Sequence, residues 1–196
     1  MMRNKFDLFV LKENKMKYYK QIQLKNGKIC ILRNPNYEDA HEILHHMILT
    51  SGETENMLRY SDEITMTEAE EQAVLRDIQF SSDAIMISAV VDGKIVANAG
   101  FNPVSKLEKC RHRAEFGISI QKEYWGQGIG SHIMTAILET ARQAGYEQLE
   151  LDVVTDNERA IALYKKFGFS IYGTNKKAFR LRNGNYQALH LMSCPL

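Results

Sequence analysis

The chain has 196 residues, with 25 Lys and Arg against 24 Asp and Glu and a formal charge of +1. That length suits one domain with a single core, and the balanced charge excludes the basic excess that drives binding to a nucleic-acid backbone. Three widely spaced cysteines, Cys30, Cys110 and Cys194, form no CxxC pair, so reduced thiols are expected rather than a disulfide framework or a zinc ribbon.

Residues 1–24, rich in Lys and Asn, read as a loosely held lead, and residues 25–196 as one domain; Met16 is a candidate start alongside Met1. The apolar run at residues 8–11 is too short for a signal-peptide core. The longest apolar stretch, AIMISAVV at 84–91, falls well below the ~20 residues of a membrane span. A cytoplasmic protein with no membrane or nucleic-acid partner is expected.

In chain order, GKICILR alternates as a strand does, and NPNYEDAHEILHHMI carries apolar residues at helical spacing from about Asn36. Thr67 and Glu70 stand at capping-box spacing ahead of a second helix running to about Phe80. AIMISAVV and KIVANAGF flank Asp92-Gly93, a two-residue hairpin signal. Residues 102–112 read as a loop and RAEFGISI as a strand. A glycine-rich turn then opens a helix that ends near Gly145. QLELDVV predicts a strand, NERAIALYKKFG a helix closed by glycine, and two strands flank Asn183-Gly184. The fold class is α/β, a mixed sheet of about seven strands flanked by about four helices.

EYWGQGIGSH places three glycines in five residues at the mouth of a helix. Free N–H groups and a positive partial charge gather there, and glycines admit a phosphate without a Cβ in its way. Ser131 and His132 follow Gly130 where a nucleotide-hydrolysing loop needs Lys and Ser or Thr. A dinucleotide fingerprint needs a third glycine where Ser131 stands, although Asp152 falls where its ribose-binding acid would be. A tight turn that binds nothing, and a loop for the diphosphate of coenzyme A, are the other readings.

The stretch YWGQGIGSHIMTAILETARQAGYEQLELDVVTDNERAIALYKKFGF resembles the core of the Gcn5-related N-acetyltransferase (GNAT) family, including its Asn-x-x-Ala-x-x-x-Tyr-x-Lys-x-Gly-Phe helix. One departure is Trp125, where the family loop usually carries Gln or Arg. The resemblance implies the GNAT acyl-CoA N-acyltransferase fold, acetyl-CoA as co-substrate, no metal, and direct transfer of acetyl to a primary amine. Tyr164 becomes the donor of a proton to the coenzyme thiolate. Glu115 becomes a candidate base for the amine, directly or through water. Ile118 and Ile120 would present main-chain groups to the pantetheine arm, and Gln127, Gly128, Gly130 and Ser131 their N–H groups to the pyrophosphate. Asn157 and Lys166 complete the coenzyme contacts. Asn157 is also a helix cap by residue type, and Glu115 is equally able to pair with Arg113.

The closing segment resembles bacterial members that acetylate small amines, free L-amino acids among them, and related enzymes acting on protein amino termini. The family's habit of pairing makes a homodimer an open option. Two readings from other classes stand beside this one. His41-Glu42-x-x-His45 is literally the HExxH zinc-protease pattern, but no third ligand motif accompanies it. A non-catalytic acetyl-CoA sensor would also need the cradle, but would not need both Glu115 and Tyr164.

Overall fold

The structure, a computed structural model, describes residues 16–196. The apolar run at 8–11 therefore lies outside the described residues. Eight strands form one sheet in the order β1-β2-β3-β4-β5-β6-β8-β7. The strands are β1 (Tyr19–Gln23), β2 (Ile29–Arg33), β3 (Ile85–Val91), β4 (Lys94–Pro103), β5 (Arg113–Ile120), β6 (Gln148–Val154), β7 (Ser170–Arg180) and β8 (Tyr186–Pro195). Four helices connect them: α1 (Ala40–Glu53), α2 (Glu68–Gln79), α3 (Ile129–Gln143) and α4 (Glu158–Lys166).

The sheet has eight strands, not seven, because β1 lies inside the segment expected to be a loose lead. It pairs antiparallel with β2, and Met16, Ile22 and Leu24 are buried in the core around it. Its other positions face solvent, which is why YKQIQ carries no alternating apolar signal.

Local chemistry sets the remaining boundaries. Asn36 caps a single 3₁₀ turn at Tyr37–Asp39 through a capping box, and α1 follows at Ala40. Thr67 and Glu70 form the expected reciprocal box on α2. At the β3–β4 hairpin both central residues take positive φ, 49° for Asp92 and 80° for Gly93, as the two-residue turn demands.

Alternation along β3 separates two apolar layers. Ile85, Ile87, Ala89 and Val91 join the large core that contains α3, whereas Met86 and Val90 join a smaller one with Ala40 and Ile43 of α1 and Leu75 of α2. Helices α1 and α2 therefore cover one face of the sheet, and α3 packs the other.

All strand pairs are antiparallel except β5 with β6, whose parallel register covers only Arg113↔Gln148, Ala114↔Leu149 and Glu115↔Glu150. Past Glu115, β5 keeps its ladder with β4, and β6 past Glu150 pairs with β8 alone. The two strands splay into a V-shaped notch. At its base Arg113 grips Glu150 through two hydrogen bonds, Nε to Oε1 and Nη2 to Oε2.

Candidate active site

The notch opens into a cavity of about 690 Å³. Its walls come from the free edge of β5 (Ile118, Ser119, Ile120), the glycine loop and start of α3 (Gly126 to Ser131, Gln127 excepted), α4 (Asn157, Arg159, Leu163, Tyr164) and α1 with its following loop (Thr50, Thr54, Met57).

The glycine loop is shaped as a cradle. Gly128 caps α3 at φ 99°, in the left-handed region, and a Cβ there would meet nothing but the cavity. Gly130 serves close approach instead: a Cβ would lie 3.0 Å from Leu163 Cδ2 of α4. The N–H groups of residues 126–130 have no main-chain partner among the described residues, whereas Ser131 N–H is bonded to Gly128 O at 3.1 Å. The amides of Gly126, Gly128, Ile129 and Gly130 are therefore the ones at the wall left free to receive an anion, and Ser131 brings its position at the cavity wall rather than a free N–H. Gln127 is absent from the wall, its carbonyl accepting from Lys25 N–H at 3.4 Å.

Gln121 N–H bonds Val96 O at 2.9 Å, which fixes the phase of the β4–β5 ladder. Residues 117, 119 and 121 bond β4, so Ile118 and Ile120 turn their main-chain groups to the open edge. The Ile120 carbonyl is already taken by the Trp125 indole N–H at 2.8 Å. What remains for an extended ligand is Ile118 N–H and C=O and Ile120 N–H. Trp125, the departure from the family loop, thus closes the end of that edge, and the Arg159 guanidinium lies 4.3 Å over its ring.

Tyr164 is 7% exposed, its ring edge-on to Phe116 at 6.2 Å and tilted against Phe169 at 5.9 Å. Burial pushes its phenol well above the ordinary range, so its proton stays in place at every working pH. Asn157 caps α4, its Oδ1 accepting from Ala160 N–H at 3.3 Å, and it also lines the cavity; capping and lining coexist.

Two expected site residues stand off the cavity. Lys166 is exposed at the far end of α4, its ammonium 5.9 Å from the Phe167 ring centroid. Glu115 is exposed at the last β5–β6 pair, the crotch of the notch. Its alternative partner is excluded, because Arg113 is committed to Glu150. Of the HExxH pattern, His41 and His45 are exposed, while the adjacent His46 is fully buried.

Several wall residues carried no sequence signal. Lys25, on the turn between β1 and β2, and Arg159, on the first turn of α4, bring positive charge to the phosphate end. Lys25 lies in no motif, and Arg159 falls on an unspecified position of the Asn157–Tyr164 motif. Thr50, Met57 and Ser119 come from segments that only the fold brings together.

The profile described as the acetyltransferase (GNAT) family matches residues 53–169. The chain belongs to that family. Among curated relatives, the L-amino acid N-acetyltransferase AaaT of Escherichia coli is 35% identical over 106 residues, 54% of this chain and 64% of that protein. The N-alpha-acetyltransferase RimI of Mycobacterium tuberculosis is 28% identical over 48% of this chain and 58% of that protein. The match thus spans less than two thirds of either relative. Among solved structures, a GNAT acetyltransferase of Streptococcus pneumoniae superposes with TM-score 0.82 at 28% identity, covering 85% of this chain and 99% of that one. The fold is shared as well with yncA of Salmonella typhimurium, solved with acetyl-CoA, at TM-score 0.74 and 16% identity over 84% of this chain and 92% of that one.

Proposed function

We propose that the protein moves the acetyl group of acetyl-CoA directly to the primary amine of a small molecule, with a free L-amino acid as the favoured acceptor. The observation that carries this reading is the notch itself. A glycine cradle at one end, a free strand edge along one side and the Tyr164 hydroxyl at the wall match the diphosphate, arm and sulfur of an acyl carrier. Lys25 and Arg159 add the positive charge that phosphates require.

The two faces of the sheet divide the chemistry. Glu115 and Phe116 are neighbours on β5 and so point to opposite faces. Tyr164 packs on Phe116, on the face of α3, while Glu115 projects to the face covered by α1 and α2. An amine arriving from the α1 face loses its proton to Glu115, directly or through water. It attacks the thioester carbonyl in the notch, and the departing thiolate takes the Tyr164 proton from the other face. Burial keeps the phenol protonated until it is called on as a donor.

The loop between α1 and α2, which brings Asn56 and Met57 to the cavity wall, is anchored by a clasp. Arg182, on the β7–β8 turn, donates from Nη2 to both Asp62 carboxylate oxygens at 2.7 and 2.9 Å, donates its main-chain N–H to the Tyr60 hydroxyl at 3.1 Å and stacks on that ring. It ties the hairpin tip to the loop between α1 and α2. The 35% identity to an L-amino acid N-acetyltransferase supports the amino-acid class.

The test is thiol release from acetyl-CoA with free L-amino acids, polyamines and amino-terminal peptides as acceptors. Turnover with amino acids above the other classes is expected. Coenzyme binding without thiol release across the panel would leave a sensor.

A further inference from the structure

His46 is the one fully buried histidine among the described residues, and acetyl transfer as outlined above does not use it. It sits on the sheet-facing side of α1, with Nε2 2.8 Å from the Ser119 hydroxyl and Nδ1 3.4 Å from Gln121 Nε2. The Ile95 carbonyl also lies against the His46 ring, so two tautomers are available, and the Gln121 amide decides for one of them. Gln121 Nε2 lies 3.0 Å from the Ile95 carbonyl, so the amide nitrogen, and not its oxygen, faces both neighbours. An amide N–H only donates, so where His46 Nδ1 accepts from Gln121 the neutral ring carries its proton on Nε2. That proton goes to Ser119 Oγ. The Ser119 hydroxyl hydrogen then has no acceptor among the described residues, and Ser119 is part of the cavity wall.

Which side of the notch it serves follows from the strand. Ile120 turns its Cδ1 toward Gly130 at the head of α3, so Ser119 turns the other way, beneath α1. That is the face from which the acceptor arrives.

We propose that the Ser119 hydroxyl, oriented by His46 and Gln121, donates a hydrogen bond to an oxygen of the acceptor, the carboxylate of an amino acid. An ammonium group has no lone pair to receive it, so the arrangement selects an amine that carries an oxygen anion nearby over a bare alkylamine. This rests on the amino-acid reading above. It also gives His46 a positioning role rather than that of a base, since the nitrogen facing Ser119 already holds a hydrogen. Burial keeps the ring neutral, its pKa pulled down to about 4.

The experiment compares L-leucine with isoamylamine, the same side chain without the carboxylate. Ser119→Ala raises KM for L-leucine about 10-fold, the effect of one lost hydrogen bond, while KM for acetyl-CoA and kcat/KM for isoamylamine hold within about 2-fold. His46→Leu repeats the Ser119→Ala pattern. His46→Gln, which retains a donor reaching toward Ser119 but cannot titrate, recovers most of the loss with an unchanged pH profile. A Ser119→Ala variant that raises KM for acetyl-CoA, or weakens both acceptors equally, overturns the proposal. So does a His46→Gln variant that loses the acid limb of its profile, because His46 would then be the base. Wild-type protein that prefers isoamylamine overturns this inference and leaves acetyl transfer standing, whereas absence of thiol release with any amine sinks the functional reading itself.

Discussion

Removing one oxygen atom from Tyr164 isolates its chemistry from its packing. The ring is held by Phe116 and Phe169, contacts that phenylalanine keeps, and the hydroxyl has no protein hydrogen-bond partner among the described residues. Tyr164→Phe therefore costs less than about 1 kcal/mol of stability, since no hydrogen bond is broken and no cavity of methyl size is left. Loss of a positioned proton donor lowers kcat about 100-fold, or about 2.7 kcal/mol of barrier. KM for acetyl-CoA stays within about 2-fold, because the cradle is intact. Steady-state thiol release gives both constants, and a thermal melt run beside it checks the fold. The raised phenol also predicts no alkaline loss of wild-type activity from Tyr164 below its ordinary value of ~10. An unchanged kcat in Tyr164→Phe, or a fall in kcat matched by a fall in melting temperature, would refute the reasoning.

Other outcomes follow from charged groups elsewhere. His46 titrates at about 4 in the folded chain, lowered by burial first and the His45 charge second, against ~6.5 unfolded. The unfolded state binds the extra proton between these values, so stability is full above ~6.5 and falls as pH drops toward about 4, by about 3 kcal/mol in all. Urea unfolding at pH 7 and pH 5 reads this slope, and His46→Gln should flatten it. Glu150 is held below the usual carboxylate range by its bonds to Arg113, and Arg113 is raised in turn. Glu150→Gln leaves a half-buried guanidinium with a poorer partner. It should cost about 2 kcal/mol at neutral pH, a deficit that shrinks as pH falls below ~4.3 and the wild-type carboxylate protonates. Lys25→Ala should weaken acetyl-CoA about 3- to 10-fold and reduce the dependence of affinity on salt. Equal loss at low and high salt would remove Lys25 from the phosphate end.

The features legible in the sequence are those whose chemistry is local. Asp92-Gly93, the Thr67–Glu70 box and the glycines before α3 each dictate backbone geometry within a few residues, and the structure has the hairpin, the cap and the cradle there. β1 was not legible because this edge strand buries a single residue, Ile22, and its partner β2 supplies the other half of the pattern. A splayed notch between the strand ending at Ile120 and that at Gln148 to Val154 was implied by the family resemblance alone, since splaying is a property of two strands separated by α3. Gly128, Gly130, Asn157 and Tyr164 converge on one cavity because their motifs span the cradle and the helix facing it. Lys25, Ser119 and His46 reach the site through topology alone, whereas Arg159 rides on the motif helix at a position the motif leaves open. Lys166 follows its motif on the helix and yet projects away from the wall.

The central claim is that unpaired amides at the head of α3 hold the diphosphate of an acyl carrier, and calorimetric titration of acetyl-CoA into the wild type and Gly128→Val tests it most directly. One site per chain in the wild type is predicted, with binding weakened at least about 100-fold in the variant, where a branched side chain enters the cradle and the left-handed backbone is strained. Wild-type protein that does not bind, or a folded Gly128→Val that binds equally well, would contradict the account.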